Sequence, residues 1–168
     1  MARSSTALLD AGDAFPHLKF RLVDGPEIEI PGRLERPWNV VLFNRGHWCP
    51  YCVAQLTSFQ NGLERLTAEG IGVIAASVDD IDHARDMKTR TGATFPIGYG
   101  LPVIETAAAI GAFYDPAPNW TAPYIQSTGF LLGPDNGVVV SVYSSGAIGR
   151  LVWQDVLALV RSLKNPHG

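Results

Sequence analysis

Cys49 and Cys52 are the only two cysteines in a chain of 168 residues, and they stand in the run Trp48-Cys49-Pro50-Tyr51-Cys52. Two thiols at this spacing have three uses: a redox pair, half of a zinc site, or inert packing. A zinc site needs two further ligands. Besides carboxylates the chain offers His17, His47, His83 and His167, and none of these forms a second paired cluster in sequence. Two cysteines also cannot staple a chain of this length as a disulfide framework. The redox reading is therefore preferred to zinc ligation and to two inert thiols.

The chemistry depends on what holds the pair. Val40-Val41-Leu42-Phe43 is a continuous apolar run, the pattern of a strand buried on both faces. From Pro50 to Ala68 the residues Val53, Leu56, Phe59, Leu63 and Leu66 recur at helical spacing. The cysteines thus open a helix. Its unpaired amides and dipole favour an anion, and a thiolate is one. Pro50 suits the first turn, where its missing N–H costs nothing. Residues three apart share a face, with Cα atoms roughly 5–6 Å apart, inside disulfide range. No Asp or Glu occurs between Glu35 and Glu64, whereas Arg36, Arg45 and His47 do. Nearby cations stabilise a thiolate.

Further elements follow from the same patterns. Leu18 to Val23 and Glu27 to Ile30 flank an Asp24-Gly25-Pro26 turn and predict an N-terminal β-hairpin. Ile71 to Val78 is a second buried strand. A helix capped by Asp79 or Asp80 runs to about Arg90, with Gly92 as its stop. Phe95-Pro96-Ile97 leads into a short extended piece. Val103 to Ile110 is a short Ala-rich helix closed by Gly111. Tyr114 to Gln126 carries Pro116, Pro118 and Pro123 and is expected to be irregular. Thr128 to Leu132 and Gly137 to Tyr143 pair across Pro134-Asp135-Asn136-Gly137. A last helix, Leu151 to Leu163, has Val152, Val156, Leu159, Val160 and Leu163 as its apolar stripe. The order predicts an α/β chain with a mixed central β-sheet and helices on both faces, the thioredoxin-like fold.

Composition sets outer bounds. Hydrophobic residues make up 46% and charged residues 17%, as in ordinary globular chains. Residues 1–168 read as a single domain, since no repeat or linker divides them. The net charge of −3 weighs against a nucleic-acid partner. No apolar run approaches ~18 residues, so no membrane span is expected. Met1 to Pro16 lacks the ~7-residue apolar stretch of a secretory signal, and a cytoplasmic location is expected.

The chain resembles the peroxiredoxin-like (alkyl hydroperoxide reductase/thiol-specific antioxidant, AhpC/TSA) branch of the thioredoxin-like superfamily, and the resemblance covers nearly its whole length. Leu9-x-x-Gly12-Asp13-x-x-Pro16 is similar to the family's opening. Val40 to Phe43 followed by Trp48 to Cys52 is similar to its active-site strand and helix start. Gly129-Phe130-Leu131-Leu132-Gly133-Pro134-Asp135-x-Gly137 and Ile148-Gly149-Arg150 are similar to its late strand, turn and final loop. In the family's proline–threonine–cysteine motif, Cys52 takes the place of the attacking cysteine. Cys49 then replaces the threonine and Arg45 the first proline, while Trp48 and Pro50 match an aromatic and a proline. Arg150 matches a family arginine, and Ser127 stands where another is expected. Thioredoxins, the other template, attack with the first cysteine, here Cys49. Their cis-proline falls near Ser127, where this chain has none.

The resemblance implies a thiol peroxidase. A thiolate attacks hydrogen peroxide or an organic hydroperoxide and becomes a sulfenic acid, and the second cysteine condenses with it. A thioredoxin-like reductant then resets the Cys49–Cys52 disulfide. No cofactor, metal, flavin or nicotinamide is needed, and the family often forms homodimers. The expected catalytic residues are Cys52, Cys49 and Arg150, with Arg45, His47, Trp48, Pro50 and Ser127 around them. The preference for Cys52 as attacking sulfur comes from the peroxiredoxin motif alone. The alternatives are a thioredoxin-like thiol–disulfide oxidoreductase attacking through Cys49, and a redox-responsive binding protein. Tyr114, Trp120 and Tyr124 either wall a groove or pack a long loop, the latter preferred. Trp48 either shields the sulfurs or belongs to the core. His17, His83 and His167 read as surface or loop residues.

Overall fold

A computed structural model describes residues 3–4 and 8–166, so His167 lies outside the described residues. The strands in chain order are β1 (Arg3–Ser4), β2 (Leu18–Leu22), β3 (Glu27–Ile30), β4 (Trp38–Phe43), β5 (Ile71–Ala76), β6 (Ile97–Tyr99), β7 (Phe113–Asp115), β8 (Tyr124–Ile125), β9 (Thr128–Leu132) and β10 (Val138–Tyr143). The helices are α1 (Pro50–Ala68), α2 (Ile81–Thr91), α3 (Val103–Ile110) and α4 (Trp153–Lys164).

Seven strands form one mixed sheet in the order β10-β9-β4-β5-β6-β2-β3. The β4–β5 and β5–β6 pairs are parallel, and antiparallel hairpins close both edges. β4 and β5 are apolar on both faces because both faces are covered. On one face Val40, Leu42, Val73 and Ala75 pack with Leu56, Phe59, Met87 and Val160 from α1, α2 and α4. On the other, Val41, Phe43, Ile74 and Ala76 pack with Ala107 and Ile110 of α3 and with Phe20. Both expected hairpins form, and helices lie on both faces of the sheet.

α1 crosses from β4 to β5 and packs against α4. The contact is close: a Cβ placed on Gly62 would lie 2.3 Å from the Trp153 ring, so only glycine fits beneath the indole. The face of α4 differs from expectation. Val156, Leu157 and Val160 are buried, while Val152 and Leu163 are exposed. Val152 is the residue before the first turn and lies off the helical face; Leu157 takes the buried place.

The segment from Tyr114 to Gln126, expected to be irregular, contains two short strands. β7 pairs with β1 and with β8 in a second, three-stranded sheet. All three prolines fall between β7 and β8, so they remove no ladder amide. Among the described residues no helix is long and apolar enough to cross a membrane.

Candidate active site

β4 ends at Phe43 and α1 begins at Pro50, leaving a six-residue loop that carries Arg45, His47, Trp48 and Cys49. The loop is pinned from both sides. The Asn44 side chain accepts a hydrogen bond from the Gly46 amide (3.1 Å) and donates to the Ala76 carbonyl (3.3 Å). The Asp79 carboxylate accepts from the His47 amide (2.9 Å), and Arg90 donates to the His47 carbonyl (2.7 Å). Gly46 has φ of 131°, a region closed to most side chains. A Cβ there would also lie 2.7 Å from the Trp48 indole nitrogen.

Cys49 is the N-cap of α1. Its sulfur accepts a hydrogen bond from the Cys52 amide at 3.4 Å, the role usually filled by a Ser or Asp oxygen. Pro50 occupies the first helical position, and no acidic residue lies in the first turn. Both cysteines are free thiols and neither is exposed. Cys49 is fully buried although it stands at the helix start, with guanidinium groups against its sulfur.

Two guanidinium groups reach Cys49. Arg150, in the loop before α4, places Nη2 3.6 Å from the sulfur. Arg45 places Nη1 3.9 Å from it. Arg150 is itself oriented: it donates to Ser127 Oγ, to Gln55 Oε1 (3.3 Å) and to the Ala147 carbonyl (3.0 Å). Arg45 is buried, donates to the Tyr124 hydroxyl (3.3 Å) and lies over the rings of Trp48 (4.9 Å) and Tyr124 (5.1 Å). The Nε atoms of both arginines are buried and without a hydrogen-bond partner among the described residues.

The two thiols are driven apart in acidity. Cys49 is lowered to about 5, first by the hydrogen bond from the Cys52 thiol, then by the Cys52 amide and the charges of Arg150 and Arg45. Burial opposes this and is outweighed. Cys52 is pushed strongly upward, by burial first and then by the hydrogen bond to Cys49. Among the described residues its sulfur accepts only a 3.3 Å contact from the Arg45 amide. The peroxiredoxin motif points to Cys52 as the attacking sulfur, whereas the positive charge and amide donors converge on Cys49.

The other expected residues divide. Ser127 meets Arg150, and Trp48 joins an aromatic cluster with Trp120 (4.5 Å) and Tyr124 (5.1 Å). Tyr124 and Trp48 line a cavity of about 490 Å3 with Arg45, so this part of the proline-rich segment walls a groove. Tyr114 lies in β7, paired with β1. His47 turns to Asp79, 3.2 Å away, and stacks on His83. Gln55 was not singled out from sequence. It is a buried amide three residues after Cys52, and that polar interruption of an apolar face was the available signal. A second groove, of about 340 Å3, is lined by Gln55, Arg150, Tyr51 and Ile148.

Residues 11–141 match the family model described as the AhpC/TSA family. A curated relative, "Peroxiredoxin" of Chlorobaculum tepidum, is 34% identical over 70 residues, which are 42% of this chain and 33% of that one. The match thus spans a third of that relative's length. Among solved structures, peroxiredoxin 6 of Arenicola marina superposes with a TM-score of 0.76 at 20% identity, over 94% of this chain and 74% of that one. AhpC of Mycobacterium tuberculosis gives a TM-score of 0.74 at 16% identity, covering 96% of each chain. These structural likenesses establish the thioredoxin-like fold of the peroxiredoxins, and with 131 residues inside the family model the chain belongs to the AhpC/TSA family.

Proposed function

We propose that this protein is a thiol peroxidase in which Cys49 attacks and Cys52 resolves. The observation that carries the reading is the setting of the Cys49 sulfur: an N-cap anion position with two guanidinium groups within 3.9 Å. The Cys49 thiolate attacks one peroxide oxygen. The S–O bond forms as the O–O bond breaks, and the departing alkoxide or hydroxide takes a proton and leaves as alcohol or water. Buried, unpartnered Nε–H groups on Arg45 and Arg150 supply donors for peroxide oxygens as charge develops there.

The resulting sulfenic acid condenses with the Cys52 thiol, releasing water and forming the Cys49–Cys52 disulfide. A dithiol protein of thioredoxin type, in a reducing cytoplasmic setting, returns the pair to thiols by exchange. The full burial of Cys49 favours a small peroxide over a folded protein disulfide as oxidant. Protein disulfide reduction through Cys49 is the competing enzymatic reading.

Single-turnover peroxide consumption by wild type, Cys49→Ser and Cys52→Ser tests this. Cys52→Ser keeps a near-normal first step and accumulates a sulfenic acid on Cys49, trapped by a dimedone-type reagent. Cys49→Ser loses the first step. A fast first step in Cys49→Ser would return the attacking role to Cys52. Slow peroxide consumption with rapid insulin reduction would favour the protein-disulfide reading.

A further inference from the structure

The parallel pairing of β4 and β5 brings their C-terminal loops side by side, and a second cluster of reactive side chains lies there. His47 comes from the β4 loop, Asp79 from the β5 loop, and His83 from the first turn of α2. One donor atom from each lies within 4.8 Å of the other two. His47 Nδ1 and Asp79 Oδ1 are 3.2 Å apart. Two ligands of a tetrahedral zinc ion, each about 2.0–2.1 Å from it, are roughly 3.3 Å apart, so this pair already has ligand spacing. The His47 and His83 rings stack, parallel within 8° at 3.8 Å between centroids, so one imidazole has to turn out of the stack for both lone pairs to meet one ion. The His83 side chain is half exposed and can close the remaining gap by rotation.

The carboxylate is held as a ligand needs to be. Asp79 is buried, and its Oδ2 accepts from the His47 amide (2.9 Å) and the Ser77 hydroxyl (2.9 Å). Oδ1 is thereby left facing the imidazole. Outer hydrogen bonds of this kind orient metal ligands. Among the described residues Asp79 has no lysine or arginine within ion-pair distance, and His47 is the one ionisable group that meets its carboxylate. A buried carboxylate without a fixed cation is a place where a divalent ion lowers the free energy. The α2 N-terminus opposes a cation, and Asp80 at the N-cap and Asp82 in the first turn offset it. The cavity of about 490 Å3 beside the cluster leaves room for water on the open coordination positions.

We propose that His47, Asp79 and His83 bind one first-row divalent ion of borderline softness, such as Zn2+, beside the loop that carries Cys49. Two imidazoles and one carboxylate suit such ions and not Ca2+ or Mg2+, which prefer oxygen ligands. The proposal uses neither sulfur and does not depend on the peroxidase reading.

The test uses tag-free protein with Cys49→Ser and Cys52→Ser, so no thiolate can ligate. Zn2+ is titrated calorimetrically, and Co2+ serves as an optical probe. One ion per chain is expected, with visible Co2+ bands of low-symmetry nitrogen and oxygen ligation. Adding His83→Ala should weaken Zn2+ binding at least tenfold, while His17→Ala should leave it unchanged. His83 is exposed, and its removal should leave the far-ultraviolet circular dichroism intact. The absence of a saturable site, or equal affinity in His83→Ala, would overturn the proposal. So would a loss that followed His17→Ala instead.

Discussion

Arg150 Nη2 lies 3.6 Å from Cys49 Sγ, while Nη1 of the same guanidinium is held by Ser127 and Gln55. One planar group therefore links the sulfur on α1, the strand β9 region and the loop before α4. Its fork supplies direction as well as charge, which an ammonium does not reproduce. Arg150→Met should slow the first step with peroxide about 100-fold, the scale of one lost oxyanion donor. Arg150→Lys should recover only part of this. Stopped-flow rates at fixed pH decide it, and an unchanged rate in Arg150→Met removes the guanidinium from the reaction.

Among the described residues Ser127 and Gln55 hydrogen-bond Arg150 and not the Cys49 sulfur. Ser127→Ala or Gln55→Leu should slow the first step by about tenfold or less, a fraction of the loss for removing the donor itself. The thiolate midpoint of Cys49 should rise in both variants. Gln55→Glu should behave differently, because a carboxylate beside Arg150 draws the guanidinium away. A rate loss in Gln55→Leu without any midpoint change points to packing alone.

The pH dependence follows from Cys49, lowered to about 5 from an ordinary value of 9.0. Thiolate absorbance of the reduced protein should be lost with a midpoint near 5. Cys52→Ala removes the largest lowering cause and should move that midpoint upward. The sign of the linked stability is fixed. A depressed thiol pKa stabilises the reduced fold fully above the unfolded value, near 9, and the contribution shrinks as pH falls, vanishing below about 5. The melting temperature of reduced wild type, relative to Cys49→Ser, should therefore fall as pH drops from 9 to 5. A midpoint near 9 would contradict the charge arrangement.

Gly46→Ala places a Cβ on a backbone with φ of 131° and against the Trp48 indole. The strain should cost about 1–3 kcal/mol in denaturant unfolding. Peroxide reactivity should fall as well, since the same loop carries Arg45 and Cys49. Gly12→Ala, also at positive φ but with open space around it, should cost less.

Mild oxidation should yield an intramolecular Cys49–Cys52 disulfide. Intact-mass measurement of the monomer should show the loss of two hydrogens. A predominantly disulfide-linked dimer would contradict the one-turn placement of the pair.

What could be read from sequence was local. The span of α1 is set by Pro50 at its start and by Leu56, Phe59 and Leu66 on one face. α3 likewise ends where Gly111 permits a left-handed turn. Arg45 stood out because its surroundings lack carboxylates, and Arg150 because of family likeness. The missing parts were tertiary. Nothing local in Tyr124 shows that its hydroxyl meets Arg45, seventy-nine positions away. His47 and His83 look unrelated until β4 and β5 are known to be parallel neighbours, which forces their following loops together. The preference for Cys52 rests on the family motif. The structure adds two guanidinium contacts to Cys49, and the one from Arg150 depends on a loop 101 positions along the chain.

The cap bond from the Cys52 amide to the Cys49 sulfur fixes more than acidity. It sets the distance a sulfenic acid must travel to meet its partner: one helical turn, within a single chain. The effective molarity of the second thiol is then a property of the fold, independent of protein concentration. On the proposed mechanism, oxidised Cys49 faces a race between ring closure and a second peroxide molecule. Irreversible overoxidation to the sulfinic acid becomes a matter of peroxide dose. The concentration at which the protein inactivates itself measures how fast that one turn of helix can close.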